Sequence, residues 1–192
     1  MNPNAIPKTT PFNVATMYQQ LPLEDLKSIA DERRLPYAIA LANITGDLNT
    51  GMIIRSACIF AAHEVFIFGK KKYDRRSTVG AHHYITTTHY ESNDEQEGFD
   101  WQLALHTIRI NGYIPLLVEQ GGTSLHKFRP RELPGNVCLV FGSEDHGIPL
   151  DVCRGELCLS IPQPGILRSL NVSAAASIAM YHMMMQLLFV HD

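Results

Sequence analysis

No pair of cysteines in this sequence has CxxC spacing. The four cysteines stand at 58, 138, 153 and 158, three of them in or beside apolar runs. Buried, reduced thiols are therefore expected, and a disulfide scaffold is not. A zinc site built from Cys153, Cys158 and a histidine would lack finger-like spacing, and no metal site is expected. The N-terminus, MNPNAIPKTTPFN, has neither a basic n-region nor an apolar h-region, so no secretory leader is expected. The longest apolar run near the C-terminus is broken by Tyr181, His182 and Gln186, which excludes a bilayer-spanning helix there. A cytoplasmic location is the corresponding expectation. Basic excess is also missing, since 16 Lys and Arg stand against 19 Asp and Glu for a net charge of −3. That excludes a uniformly basic surface but leaves room for local basic patches. Neither GxGxxG nor GxxxxGK follows the first apolar run, which argues against a dinucleotide or P-loop enzyme.

What is present is a chain of 192 residues, enough for one domain with a core of ordinary size. The proline- and asparagine-rich residues 1 to 13 read as a loose arm. Apolar positions in Val14–Arg34 read as two helical pieces divided at Pro22. They serve either as a packing element or as a substrate-recruiting extension. Tyr37–Ala42 reads as the first core strand, followed by a turn-rich loop, Asn43–Gly51, and a helix over Met52–Ala62. Val65–Phe68 is a second strand, ended by Gly69. Tyr84–Thr88 is a short third, after which residues 91 to 100 form an acidic surface loop. Trp101–Asn111 reads as a helix ending at Gly112, and Tyr113–Val118 as a strand. Val137–Phe141 is uniformly apolar and Leu157–Ile161 is apolar but for Ser160, as buried parallel strands are. Ala174–Met185 is almost pure helix former, and Ser169 sits where such a helix could begin. Strands alternating with helices at this spacing predict an α/β fold with a mostly parallel sheet flanked by helices. In such a sheet, ligands bind where strand ends deliver polar loops.

Three features invite two readings each. Arg55 falls near the N-terminal end of its predicted helix, where a cation is disfavoured unless an anion is to be held; otherwise it is a surface arginine. Lys70, Lys71, Lys72, Arg75 and Arg76, followed by Ser77–His83, combine cations, hydroxyls and a glycine, as a phosphate-contacting loop needs, or form a solvated turn. His82 and His83 either stack on a base or divide into one structural and one exposed ring. Lys127, Arg129 and Arg131 form a second basic stretch.

Three segments resemble the motifs of the SpoU (TrmH-like) RNA ribose methyltransferases of the SPOUT superfamily. They are Asn49-Thr50-Gly51-Met52-Ile53-Ile54-Arg55-Ser56-Ala57, Phe141-Gly142-Ser143-Glu144-Asp145-His146-Gly147-Ile148-Pro149, and Ile161-Pro162-Gln163-Pro164-Gly165-Ile166-Leu167-Arg168-Ser169-Leu170-Asn171-Val172-Ser173. The resemblance spans roughly residues 36 to 188. Gln163 stands where Met is usual, Ala174 where Val is frequent and Ser177 where Gly is common. The resemblance implies a domain over 36–192 preceded by a short extension, 1–35, without the separate N-terminal RNA-binding domain of some members. It also implies a C-terminal trefoil knot, a homodimer with a shared site, bound S-adenosylmethionine, and methyl transfer to a ribose 2′-hydroxyl of tRNA or rRNA. Leu117, Gly142, Ile161 and Leu170 are then expected to line the cofactor cleft. Arg55, Asn49, Glu144, Ser169 and Asn171 are expected at the reaction centre. A SpoU-like fold that binds RNA without catalysis is the alternative.

Overall fold

The computed structural model describes residues 13–69, 73–91 and 99–190. The arm, Lys70–Lys72 and most of the acidic loop lie outside the described residues. Six strands form one sheet: β1 (Tyr37–Ala42), β2 (Glu64–Phe68), β3 (Thr86–Tyr90), β4 (Ile114–Ser124), β5 (Val137–Phe141) and β6 (Leu157–Ser160). Their spatial order is β3-β2-β1-β5-β4-β6, and every neighbouring pair is parallel. β1 is buried at all six positions, as a central parallel strand covered on both faces must be.

Alternation along β1 sends side chains into two cores. Tyr37, Ile39 and Leu41 join the core that also holds residues of α2 (Asp47–Ile59) and α5 (Val172–Leu188). Ala38 and Ala40 face the other core, with α3 (Trp101–Ile110) and α4 (Leu150–Gly155) above them. The result is three layers, helices on both faces of a parallel sheet. The extension forms a single helical turn, Thr16–Tyr18, and then α1 (Leu23–Glu32), with Pro22 between them. Arg34 tethers it, donating to the carbonyls of Ala62, His63 and Tyr84 and to Asp31.

Four boundaries differ from the sequence expectation, each for a local reason. α2 starts at Asp47 rather than Met52, so Asn49 and Gly51 are helical and Arg55 lies two turns in. An acidic first-turn residue, Asp47, suits the positive end of that helix. Gly51, a poor helix residue, is placed there by packing. A Cβ at Gly51 would fall 2.7 Å from the Ser77 carbonyl carbon and closer still to its side chain. β3 is shifted two residues, to Thr86–Tyr90. β4 does not stop at Val118. Both Val118 and Thr123 pair with Leu159, so residues 119 to 122 bulge out and the strand resumes. Gly121 sits at φ +86° inside this bulge, and a Cβ on Gly122 would come within 2.5 Å of the Cys158 carbonyl oxygen. Finally, the cap of α5 is Asn171, not Ser169. The Asn171 carboxamide oxygen accepts from the backbone N–H groups of Ser173 and Ala174.

Candidate active site

The carboxyl ends of β4, β5 and β6 open onto one cleft of about 740 Å³. Its walls are the β4 bulge (Val118, Glu119, Gln120), the loop after β5 (Gly142–Ile148) and the segment after β6 (Ile161–Val172). Beside it stands the loop after β1, which leads into α2. This is the edge at which an open α/β sheet takes its ligands.

A hydrogen-bonded chain joins the three motif segments. The Glu144 carboxylate accepts from the N–H of Thr45 and of Gly46, each at 3.1 Å, and from the Asn49 amide at 2.9 Å. The Asn49 carboxamide oxygen accepts from the Asn171 amide at 3.1 Å. The Asn171 oxygen in turn takes the Ser173 hydroxyl at 2.6 Å and caps α5. Glu144 is pulled two ways. Partial burial raises its pKa, while the Asn49 amide and the backbone N–H groups of Thr45, Glu144 and Gly46 lower it more, so the carboxyl sits below its ordinary value. Gly46 has no room for a side chain, because a Cβ would lie 2.9 Å from Glu144 Oε1 and 3.0 Å from the Asn49 amide nitrogen.

Of the residues expected at the reaction centre, Asn49, Glu144 and Asn171 meet. Glu144, Ser169 and Asn171 line the cleft. Arg55 is exposed on α2, belongs to no ion pair among the described residues, and is not part of the cleft wall of its own chain. Of the expected cofactor contacts, Gly142, Ile161 and Leu170 line the cleft, but Leu117 does not. Leu117 is fully buried in the core with Val140 and Cys138, and its successors Val118 to Gln120 reach the cleft instead. The side-chain space at Gly142 is taken by the carbonyl of Gly147, so its small size closes the turn of its own loop.

Two site residues went unnoticed in the sequence. Glu119 Oε2 accepts from the Ile148 N–H at 2.9 Å, and Gln120 Nε2 donates to the Arg168 carbonyl at 2.6 Å. The glycine pair that follows them was the available signal, but it reads as a strand terminus rather than a bulge. Ser177, where the family commonly has Gly, has its own task. It donates to the Ser173 carbonyl and pairs with Ser56 at 2.9 Å, tying α5 to α2.

The segment after β2 packs over α2 as two short helical turns, Arg75–Thr78 and Ala81–His83. His82 is half-buried with Nδ1 2.5 Å from the Thr78 hydroxyl, and burial, with His83 and Arg75 nearby, lowers its pKa. His83 is exposed. Arg76 is paired with Asp74 at 2.6 Å, while Arg75 is exposed. Among the described residues no group of His, Cys, Asp and Glu has the geometry to hold a metal ion. No helix among them is long and apolar enough to cross a membrane.

The model of the SpoU rRNA Methylase family matches residues 36–181. A 51-residue segment is 43% identical to the 23S rRNA (guanosine-2′-O-)-methyltransferase RlmB of Acinetobacter baylyi, covering 26% of this chain and 21% of that protein. Among solved structures, the AdoMet-bound rRNA methyltransferase of Sinorhizobium meliloti superposes with a TM-score of 0.66 at 21% identity. That match covers 86% of this chain and 61% of that one. The TrmH/SpoU tRNA modifying enzyme of A. aeolicus gives a TM-score of 0.67 at 20% identity, over 85% of this chain and 81% of that one. At these identities the structural likeness establishes the α/β fold.

Proposed function

This chain belongs to the SpoU rRNA methylase family, whose model covers residues 36–181, and on that premise we propose that it is an S-adenosylmethionine-dependent methyltransferase acting on a ribose 2′-hydroxyl of tRNA or rRNA. The observation that carries this reading is the Glu144–Asn49–Asn171 chain, which draws all three motifs together beside one cleft. The cleft suits the cofactor. Its volume of about 740 Å³ falls within the range for ligands of that size. Val118, Ile161 and Leu170 offer apolar walls, the irregular loops offer free backbone groups, and Asp145 offers negative charge toward a cation. When bound there, S-adenosylmethionine supplies an electrophilic methyl group.

The protein's part is then to place the ribose oxygen about 3 Å from that methyl and to favour charge developing on it. Arg55 is assigned to the substrate. A guanidinium is a permanent cation and a poor base, so Arg55 anchors the phosphate beside the target nucleotide and stabilises the developing oxyanion, while the hydroxyl proton passes to that phosphate or to water. Ser169 offers a hydroxyl at the cleft wall for the same oxygen. Asn49, Glu144 and Asn171 hold the loops in register.

The family's homodimer follows as part of the proposal. Leu48, Met52, Arg55 and Ile59 share one face of α2, and the three apolar members are 74%, 53% and 64% exposed. Ile178 and Tyr181 continue that surface on α5. Pairing two chains over it buries the apolar stripe and carries Arg55 of one protomer to its partner's cleft. The domain is 36–192, in line with the start of the family match at residue 36. Its C-terminal part is proposed to form the trefoil knot. The family match, which runs through residue 181, supports that reading. A cytoplasmic location is proposed with the RNA substrate.

The test is incubation with methyl-labelled S-adenosylmethionine and bulk RNA, followed by digestion to nucleosides. Labelled 2′-O-methyl nucleosides are expected, and RNA binding without label would leave a non-catalytic binder. Arg55→Ala should abolish transfer while cofactor affinity stays within a few-fold. Transfer comparable to the parent would remove Arg55 from the mechanism.

A further inference from the structure

The bulge in β4 makes a connection that none of the three motifs contains. Residues 119 to 122 leave the ladder between Val118 and Thr123, which frees two consecutive side chains at the strand end. They point to opposite walls of one cleft. Glu119 reaches the loop after β5, its Oε2 accepting from the Ile148 N–H at 2.9 Å, and its Oε1 accepts from the Gln120 N–H at 2.8 Å. Gly147, at φ +63°, lies directly against the same carboxylate, with no space for a side chain there. Gln120 reaches the segment after β6, donating to the Arg168 carbonyl at 2.6 Å. That segment is otherwise loosely held, with Ile166 fully and Leu167 largely exposed.

We propose that Glu119 and Gln120 are positioning residues that strap both walls of the cofactor cleft to β4 and thereby set its width. The proposal rests on the cofactor reading above. Neither residue need touch the reacting atoms. Each holds a backbone segment that would otherwise have to be ordered when the ligand enters. Preorganisation of this kind contributes to affinity by removing that ordering cost. The strap acts on binding rather than on the chemical step, so its loss raises KM for the cofactor and leaves kcat in place.

Gln120 is exposed, so changing it does not threaten the fold. Gln120→Glu keeps the size, removes the donor and sets a carboxylate against the Arg168 carbonyl. Gln120→Lys restores a donor. Glu119→Gln keeps an acceptor for Ile148 but loses the second oxygen. In the ligand-free full chain, hydrogen exchange of residues 166 to 170 should quicken in Gln120→Glu and return toward the parent rate in Gln120→Lys. The Ile148 amide should exchange faster in Glu119→Gln. By calorimetry with S-adenosylmethionine, Gln120→Glu should weaken binding by about tenfold, the scale of one well-placed hydrogen bond, with the melting temperature unchanged. Unaltered exchange in all three variants, with cofactor affinity within twofold of the parent, overturns the strap. If the parent chain binds no S-adenosylmethionine, the functional reading fails, while the exchange rates still decide whether the strap exists.

Discussion

Removing the Glu144 carboxylate tests the joint between the three motif segments. In Glu144→Ala the N–H groups of Thr45 and Gly46 and the Asn49 amide lose their shared acceptor. Hydrogen bonds to a charged group contribute about 1.5–3 kcal/mol each when well shielded. Glu144 is largely exposed, so water replaces much of each bond and about 0.5 kcal/mol apiece is a fair discount. Three such bonds give about 1.5 kcal/mol, or a fall of about 3–6 °C in melting temperature for a domain of this size. Glu144→Gln should fall by about half as much, since its amide nitrogen opposes a donor. The pH dependence has a fixed sign. The folded carboxyl sits below its ordinary value, because its hydrogen bonds outweigh burial. Its stabilisation is therefore present above the unfolded pKa and is lost as pH falls through the lower folded one. Thermal unfolding of parent and Glu144→Gln should thus diverge at pH 7 and converge as the pH is taken below about 4.5. A loss under 1 °C in Glu144→Ala at pH 7, or a gap indifferent to pH, would refute the reasoning.

Gly51→Ala should destabilise by about 2 kcal/mol in urea, because the clash with Ser77 outweighs the roughly 1 kcal/mol that alanine gains in a helix. Gly155→Ala, in the last turn of α4 with open space around it, should show no such loss in the same assay. All four thiols should react slowly with a thiol reagent at pH 7.5 until the chain is unfolded. Burial raises the pKa of each, pushing Cys153 up to about 12 and Cys138 well above its usual value, so the thiolate is scarce. Prompt labelling of the native protein would refute this. Asn171→Ala should lose about 1 kcal/mol of stability as the cap of α5 is removed, whereas Ser169→Ala should lower kcat without moving the melting temperature. The reverse pattern would exchange their roles.

The strands were legible because burial on both faces leaves an uninterrupted apolar run. Tyr37–Ala42 and Val137–Phe141 fall where the pattern puts them. Elements governed by distant packing were not. The start of α2 is hidden because Gly51 reads as a turn residue, and only Ser77, 26 positions away, makes a glycine necessary inside the helix. The β4 bulge is hidden for a similar reason. Gly121 and Gly122 look like a strand end until Leu159 is seen pairing on both sides of them. The candidate site divides along the same line. The resemblance to the family's motifs pointed to Asn49, Glu144 and Asn171, but their mutual hydrogen bonds join positions 95 and 122 apart in the chain, which no local pattern reports.

That bonding reassigns the work within the site. Asn49 gives its amide to Glu144 and its oxygen to Asn171. Asn171 gives its oxygen to the first turn of α5. Glu144 divides its two oxygens among four donors. Groups so occupied are poor candidates for binding a substrate, since each new contact would cost an existing one. Of the five residues expected at the reaction centre, those left for the substrate are Ser169, at the cleft wall, and Arg55, which faces outward along an apolar stripe of α2. The proposed chemistry thus falls to one hydroxyl from within the chain and one cation that, in the proposed dimer, serves the partner's cleft. A chain held as a monomer should on this argument keep its cofactor site and lose its reaction.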